Sequence, residues 1–180
     1  MSPALCNDEN HGKATDKCHL TSCPVDLNGA YEFPHLIVPV HKYHRDFPMG
    51  NKLNGTIDEW TCTTYNFDIH PDDTGKTCSL IFLLPKHEDL ETSSYKFEGE
   101  GYLYFNKLSN PVNEKTTFNN KGAWTRVSTT AIEEDTKISA WSGPCEAGKK
   151  VGYEVCGEGI DLEYFQDYNP SPIGLYMRVC

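Results

Sequence analysis

Chemistry on this chain would have to start from its histidines, acids or aromatic rings. The histidines are His11, His19, His35, His41, His44, His70 and His87. The tightest ligand-like group is His41-Lys42-Tyr43-His44-Arg45-Asp46. Residues three apart on a strand face opposite ways, so His41 and His44 reach one metal ion only in a loop or turn. Lys42 and Arg45 would repel a cation there, and a solvated polar loop accounts for the same residues. His11 and His19 have no spacing that selects copper or zinc. The acidic runs Asp72-Asp73, Glu88-Asp89-Leu90-Glu91 and Glu133-Glu134-Asp135 lack the alternating oxygens and glycine turn of a calcium loop. No metal and no cofactor is expected.

Hydrolysis of a glycoside needs two carboxylates facing each other across a cleft, and Glu91 with Asp167 is one conceivable pair. There is no G-x-S-x-G elbow, no H-E-x-x-H and no glycine-rich phosphate loop. The enzyme signal is weak, and a non-catalytic role is favoured. Aromatic residues carry more information. Tyr164-Phe165-Gln166-Asp167-Tyr168-Asn169-Pro170-Ser171-Pro172 is a dense aromatic and polar stretch, and Trp60 and Trp124 stand elsewhere. A ring beside Asn, Gln and Asp can hold a sugar by stacking plus hydrogen bonds. The candidate ligand-binding residues are therefore Tyr164, Gln166, Asp167, Tyr168 and Asn169, with Trp60 and Trp124 as second choices. The competing reading is that these rings fill the core and its end loops, with Pro170 and Pro172 stiffening the turn.

Eight cysteines stand in 180 residues: Cys6, Cys18, Cys23, Cys62, Cys78, Cys145, Cys156 and Cys180. None forms a CxxC pair, so an even set of disulfides in an oxidising compartment is expected rather than a zinc site. Three fall within residues 1–30 and five beyond, both odd numbers. If all eight pair within the chain, at least one bridge ties the N-terminal segment to the rest. Cys145 and Cys156 could close a hairpin, and Cys180 could lock the C-terminal strand to a neighbour. Asn54-Gly55-Thr56 is a sequon, which makes Asn54 a candidate glycosylation site. Met1 to Cys6 lacks the basic and apolar regions of a signal peptide, so a removed leader and an added initiator methionine are expected. The formal charge is −10, with the 16 Lys and Arg scattered, which argues against nucleic acid as partner. The longest apolar run, Leu80 to Leu84, is far short of the ~20 residues of a spanning helix.

The elements that must position these residues read as strands. Residues 1–30 are polar and without period, a disulfide-pinned arm; residues 31–180 form the domain. Leu36 to Val40 is a short apolar strand, and Trp60 to Ile69 alternates with Tyr65, Phe67 and Ile69 on one face. Cys78 to Leu84 is uninterruptedly apolar, as in a central strand buried on both faces. Phe97 to Phe105 sets Tyr102 and Tyr104 against Leu103 and Phe105. Ala123–Ile132, Lys137–Trp141, Lys150–Cys156, Ile160–Phe165 and Ile173–Cys180 complete about nine strands. Only Lys86 to Ser93 suits a short helix. An all-β fold is expected, a single β-sandwich of possible jelly-roll type.

Four stretches carry a family resemblance: Phe33 to Val40, Gly75 to Pro85, Glu88 to Tyr95, and Tyr164 to Cys180. Together they resemble the fungal extracellular family of the But-two (ubiquitin-three-binding protein) C-terminal domain, over about residues 31–180. The resemblance implies a small secreted or wall-associated fungal protein with a β-rich domain, and it transfers no catalytic residue. The family name suggests the ubiquitin-like activation machinery, a cytosolic partner that a disulfide-rich secreted chain would not meet. The expected function is a secreted fungal binding protein acting at the cell wall or a host surface, its partner a glycan or an extracellular protein. The alternatives are a carbohydrate-active enzyme and a secreted effector or toxin recognising a host protein through the arm.

Overall fold

The computed structural model describes residues 20–180. Cys6, Cys18, His11 and His19 lie outside them. Ten strands are present: β1 (Tyr31–Glu32), β2 (Leu36–His41), β3 (Asn54–Ile57), β4 (Thr61–Asp68), β5 (Thr77–Leu84), β6 (Tyr95–Leu108), β7 (Trp124–Ile132), β8 (Thr136–Pro144), β9 (Lys150–Phe165) and β10 (Gly174–Val179). They form two antiparallel sheets packed as a sandwich. The smaller runs β1-β10-β5-β8; the larger runs β2-β4-β9-β6-β7, with β3 also pairing β9. The all-β expectation is borne out.

Alternation explains the packing. On β4 the faces expected to point inward, Tyr65 and Phe67, meet Leu80, Phe82 and Leu84 of β5 and Leu103 and Phe105 of β6 in the core. Phe82 sits edge-on to Phe105 at 6.2 Å and to Tyr164 at 5.5 Å, so one ring of the small sheet stitches two strands of the large one. β5 is buried on both faces for a specific reason. Its outward Ile81 and Leu83, with Tyr176 of β10, are covered by Val25, Leu27 and Tyr31 from the N-terminal segment. That segment is pinned by Cys23–Cys180, and Arg178 adds hydrogen bonds to the carbonyls of Asn28 and Ala30.

Among the described residues three disulfides nest one inside another: Cys23–Cys180, Cys62–Cys156 and Cys78–Cys145. The expected hairpin bridge between Cys145 and Cys156 is therefore corrected. Cys145 follows β8 at the end of the small sheet, whereas Cys156 lies mid-strand in the large one, opposite Cys62. The separate strands expected at Lys150–Cys156 and Ile160–Phe165 are one strand, β9. Gly157-Glu158-Gly159 bends the chain without breaking it. The register of β6 against β9 shifts between Gly99 and Tyr102, and Gly99 and Gly159 both take positive φ there. A Cβ on Gly101 would collide with the Glu158 carbonyl, so this close approach requires glycine. The helix expected at Lys86–Ser93 is only a single 3-10 turn, His87–Asp89.

Candidate functional site

The glycine bulge borders a hollow on the outer face of the large sheet. A cleft of about 890 Å³ lies there, floored by β6 and β9 and walled by the segment that joins β6 to β7. Its floor holds a continuous polar chain. Glu154 of β9 is 1% exposed and pairs with Lys121, whose side chain is 8% exposed. The Asn106 amide donates to Glu154 Oε1 at 3.0 Å, and its Oδ1 accepts from Arg126 Nε at 2.6 Å. Each buried polar group thus has a partner, and the chain of bonds fixes the Arg126 side chain.

Arg126 in turn organises the rim. Its guanidinium lies 4.4 Å from the Tyr104 ring centroid and 5.3 Å from that of Trp124. Trp124, at the start of β7, remains 47% exposed. The Tyr104 hydroxyl donates to Glu158, and that hydrogen bond holds the phenol above its ordinary pKa. Glu98, Glu158 and Asp161, all solvent-exposed, line the cleft along with Lys42 and Glu59 at its far side. Cys62, Glu154 and Cys156 cluster closely, but the two sulfurs are joined to each other, so no thiolate pair is on offer.

The sequence candidates are distributed differently. Tyr164 is corrected to a core residue: it is fully buried, its hydroxyl hydrogen-bonds Tyr65, and burial pushes both phenols well up. The Gln166 amide pairs with both backbone groups of Leu175, at 2.9 and 3.1 Å. Asp167 accepts from the Thr92 hydroxyl and the Asn169 N–H, so its carboxylate closes a loop. Tyr168 is 62% exposed and Asn169 is half-buried beside it. Trp60, 40% exposed, packs against Tyr43 with ring centroids 4.4 Å apart and the planes tilted by 33°. Only Trp124 of the set lines the cleft. His41 turns its Nδ1 onto the N–H groups of Tyr43 and His44, making the loop rather than facing a shared ligand point. Glu91 and Asp167 are on neighbouring loops, joined by the Glu91 N–H to the Pro170 carbonyl, and neither lines the cleft. Asn54 opens β3, half-buried, with its amide donating to Glu163.

Sequence reasoning missed Tyr104, Asn106, Lys121, Arg126 and Glu154. The alternation of β6 did put Tyr102 and Tyr104 on one face, and Lys121 and Arg126 flank Trp124 in sequence. What was invisible was that these strands lie side by side.

The outer face of the larger sheet of this two-sheet sandwich thus carries an open cleft rimmed by Tyr104 and Trp124. The family model of the Ubiquitin 3 binding protein But2 C-terminal domain matches residues 32–170. The chain belongs to that family. No curated protein matches it.

Proposed function

We propose that this is a secreted fungal binding protein that holds a cell-wall or host-surface glycan in the cleft of its larger sheet. The observation that carries the reading is the Trp124–Arg126–Tyr104 stack standing at the rim opposite exposed carboxylates. An exposed ring with a guanidinium over one face offers its other face to the C–H groups of a sugar. Nearby carboxylates accept from its hydroxyls, and little side-chain entropy remains to be lost. Three disulfides support an oxidising, extracellular setting, where a sequon at Asn54 would carry a glycan. A protein ligand is the second reading, supported by the family description, which is that of a binding protein. Tyr168, Asn169 and Asp167 would be its first contact surface, with Gln166 bracing the loop from below, and the Trp60–Tyr43 pair its second.

The test is retention of the purified protein on insoluble chitin and β-glucan, with the supernatant analysed for released sugar. Saturable retention that Trp124→Ala abolishes, with an unchanged melting temperature, supports the cleft. Released oligosaccharides would instead make the protein a carbohydrate-active enzyme. No retention on any polymer would reject the glycan reading and send the search to protein ligands. For an effector role of the arm, truncation has to stop short of Cys23. Removing all of residues 1–30 would strip the disulfide and uncover Ile81, Leu83 and Tyr176.

A further inference from the structure

Resting on the glycan reading, we propose that the ligand is a linear, non-anionic polysaccharide chain that runs along β6 and occupies two adjoining hollows rather than one. A second hollow of about 510 Å³ lies on the same outer face, lined by Glu100, Tyr102 and Thr129. It shares Tyr104, Glu158 and Gly159 with the main cleft. The two are therefore a single groove, with the Tyr104–Glu158 hydrogen bond crossing its middle.

The spacing favours a chain. Tyr102, Tyr104 and Asn106 follow one another on the outer face of β6, and Trp124 pairs with Leu108 at the far end. At about 3.4 Å per residue the groove extends roughly 20 Å along the strand, room for several linked sugar rings. Its two end rings, Tyr102 and Trp124, are 50% and 47% exposed, and a single sugar could use only one of them. Charge selects the chemistry. With Glu154 neutralised by Lys121, the groove's Glu59, Glu98, Glu100, Glu158 and Asp161 outnumber Lys42 and Arg126. A uronate or sulfated chain would be repelled along its whole length, whereas a neutral or amino-sugar chain would not.

The test is calorimetric titration with N-acetylglucosamine and β-1,3-glucose oligomers from disaccharide to hexasaccharide. Wild type, Tyr102→Ala and Tyr102→Phe are compared, with melting temperatures as a folding control. For the oligomer series that binds, affinity should rise with length. Tyr102→Ala should cost about tenfold on the hexasaccharide, the scale of one lost stacking contact, and leave the disaccharide unchanged; Tyr102→Phe should behave as wild type. Affinity that is flat with length overturns the extended chain while keeping a glycan site, as does an equal loss on both oligomers. Competition by polygalacturonate would overturn the charge selection. If neither oligomer series nor the insoluble polymers bind, the glycan reading itself falls.

Discussion

Removing the Lys121 ammonium should be among the most damaging single changes this fold can suffer at a polar site. Of the ion pairs among the described residues, only Lys121–Glu154 has both side chains less than a tenth exposed. Lys121→Met keeps the stem packed near the Phe118 ring, over which the ammonium stands at 4.7 Å. It leaves the Glu154 carboxylate buried with Asn106 as its remaining partner. Stranding one charge of a buried pair costs about 3–5 kcal/mol, more than the pair itself is worth, because the desolvation already suffered is no longer offset. For a chain of this size that is a fall in melting temperature of roughly 6–20 °C. The assay is urea denaturation with the disulfides intact, followed by circular dichroism, reading a lower midpoint at unchanged slope. Adding Glu154→Gln to Lys121→Met should recover at least about 2 kcal/mol, since the amide carries no charge and its oxygen still accepts from Asn106. A loss below about 1 kcal/mol for Lys121→Met, with the two substitutions additive, would refute the reasoning. The pair would then be solvated, and the cleft floor would not be the rigid support assigned to Arg126.

Two other outcomes are expected. With the inner bridges intact, Cys23–Cys180 closes an effective loop made of the 39 residues to Cys62 and the 24 beyond Cys156; by chain entropy its loss in Cys23→Ser/Cys180→Ser costs about 4 kcal/mol, and an unchanged urea midpoint would refute this. His87 donates from Nδ1 to Glu134 at 2.7 Å and from Nε2 to the Tyr95 carbonyl at 2.9 Å, so the folded protein favours the imidazolium and its pKa is raised. Its contribution is full below the unfolded value of 6.5 and fades as pH rises through the raised one; that of Glu134, whose pKa is lowered to about 2, is full above 4.5 and fades toward acid. The melting-temperature gap between wild type and His87→Gln should therefore be widest between pH 4.5 and 6.5, and a gap that widens above pH 8 would contradict it.

Much of the fold was legible because strand period and burial coincide. Tyr65, Phe67 and Ile69 fall on one face of β4 in sequence and line the core in the structure. The apolar run of β5 announced burial on both sides, although nothing in it said that residues 25–31 would supply the second cover. The strands that escaped notice, β1 and β3, span two and four residues, too few for an alternation to show. Tyr164 shows the limit of reading aromatics from composition. A tyrosine among Gln, Asp and Asn suggests a wet surface, yet its strand parity points it at Phe82, and its polar neighbours are spent on Leu175, Thr92 and the loop backbone.

The cleft was illegible for a different reason, which also bears on how it would work. Its parts come from β6, β7, β9 and the segment before β7, and each part alone looks ordinary. What assembles them is the close approach of β6 and β9, which depends on glycines that read as punctuation. Gly157-Glu158-Gly159 has the composition of a turn, but a Cβ on Gly99 or Gly101 would collide with the Gly159 or Glu158 carbonyl, so the two strands approach closely and β9 runs on through a shift of register instead of ending. The shifted register places Glu158 against Tyr104 in the cleft. The same glycines thus set the depth of the groove and the position of the bridge at its centre. A substitution such as Gly101→Ala would drive its Cβ into the Glu158 carbonyl, force β6 and β9 apart and so reshape the groove floor without altering any side chain that lines it.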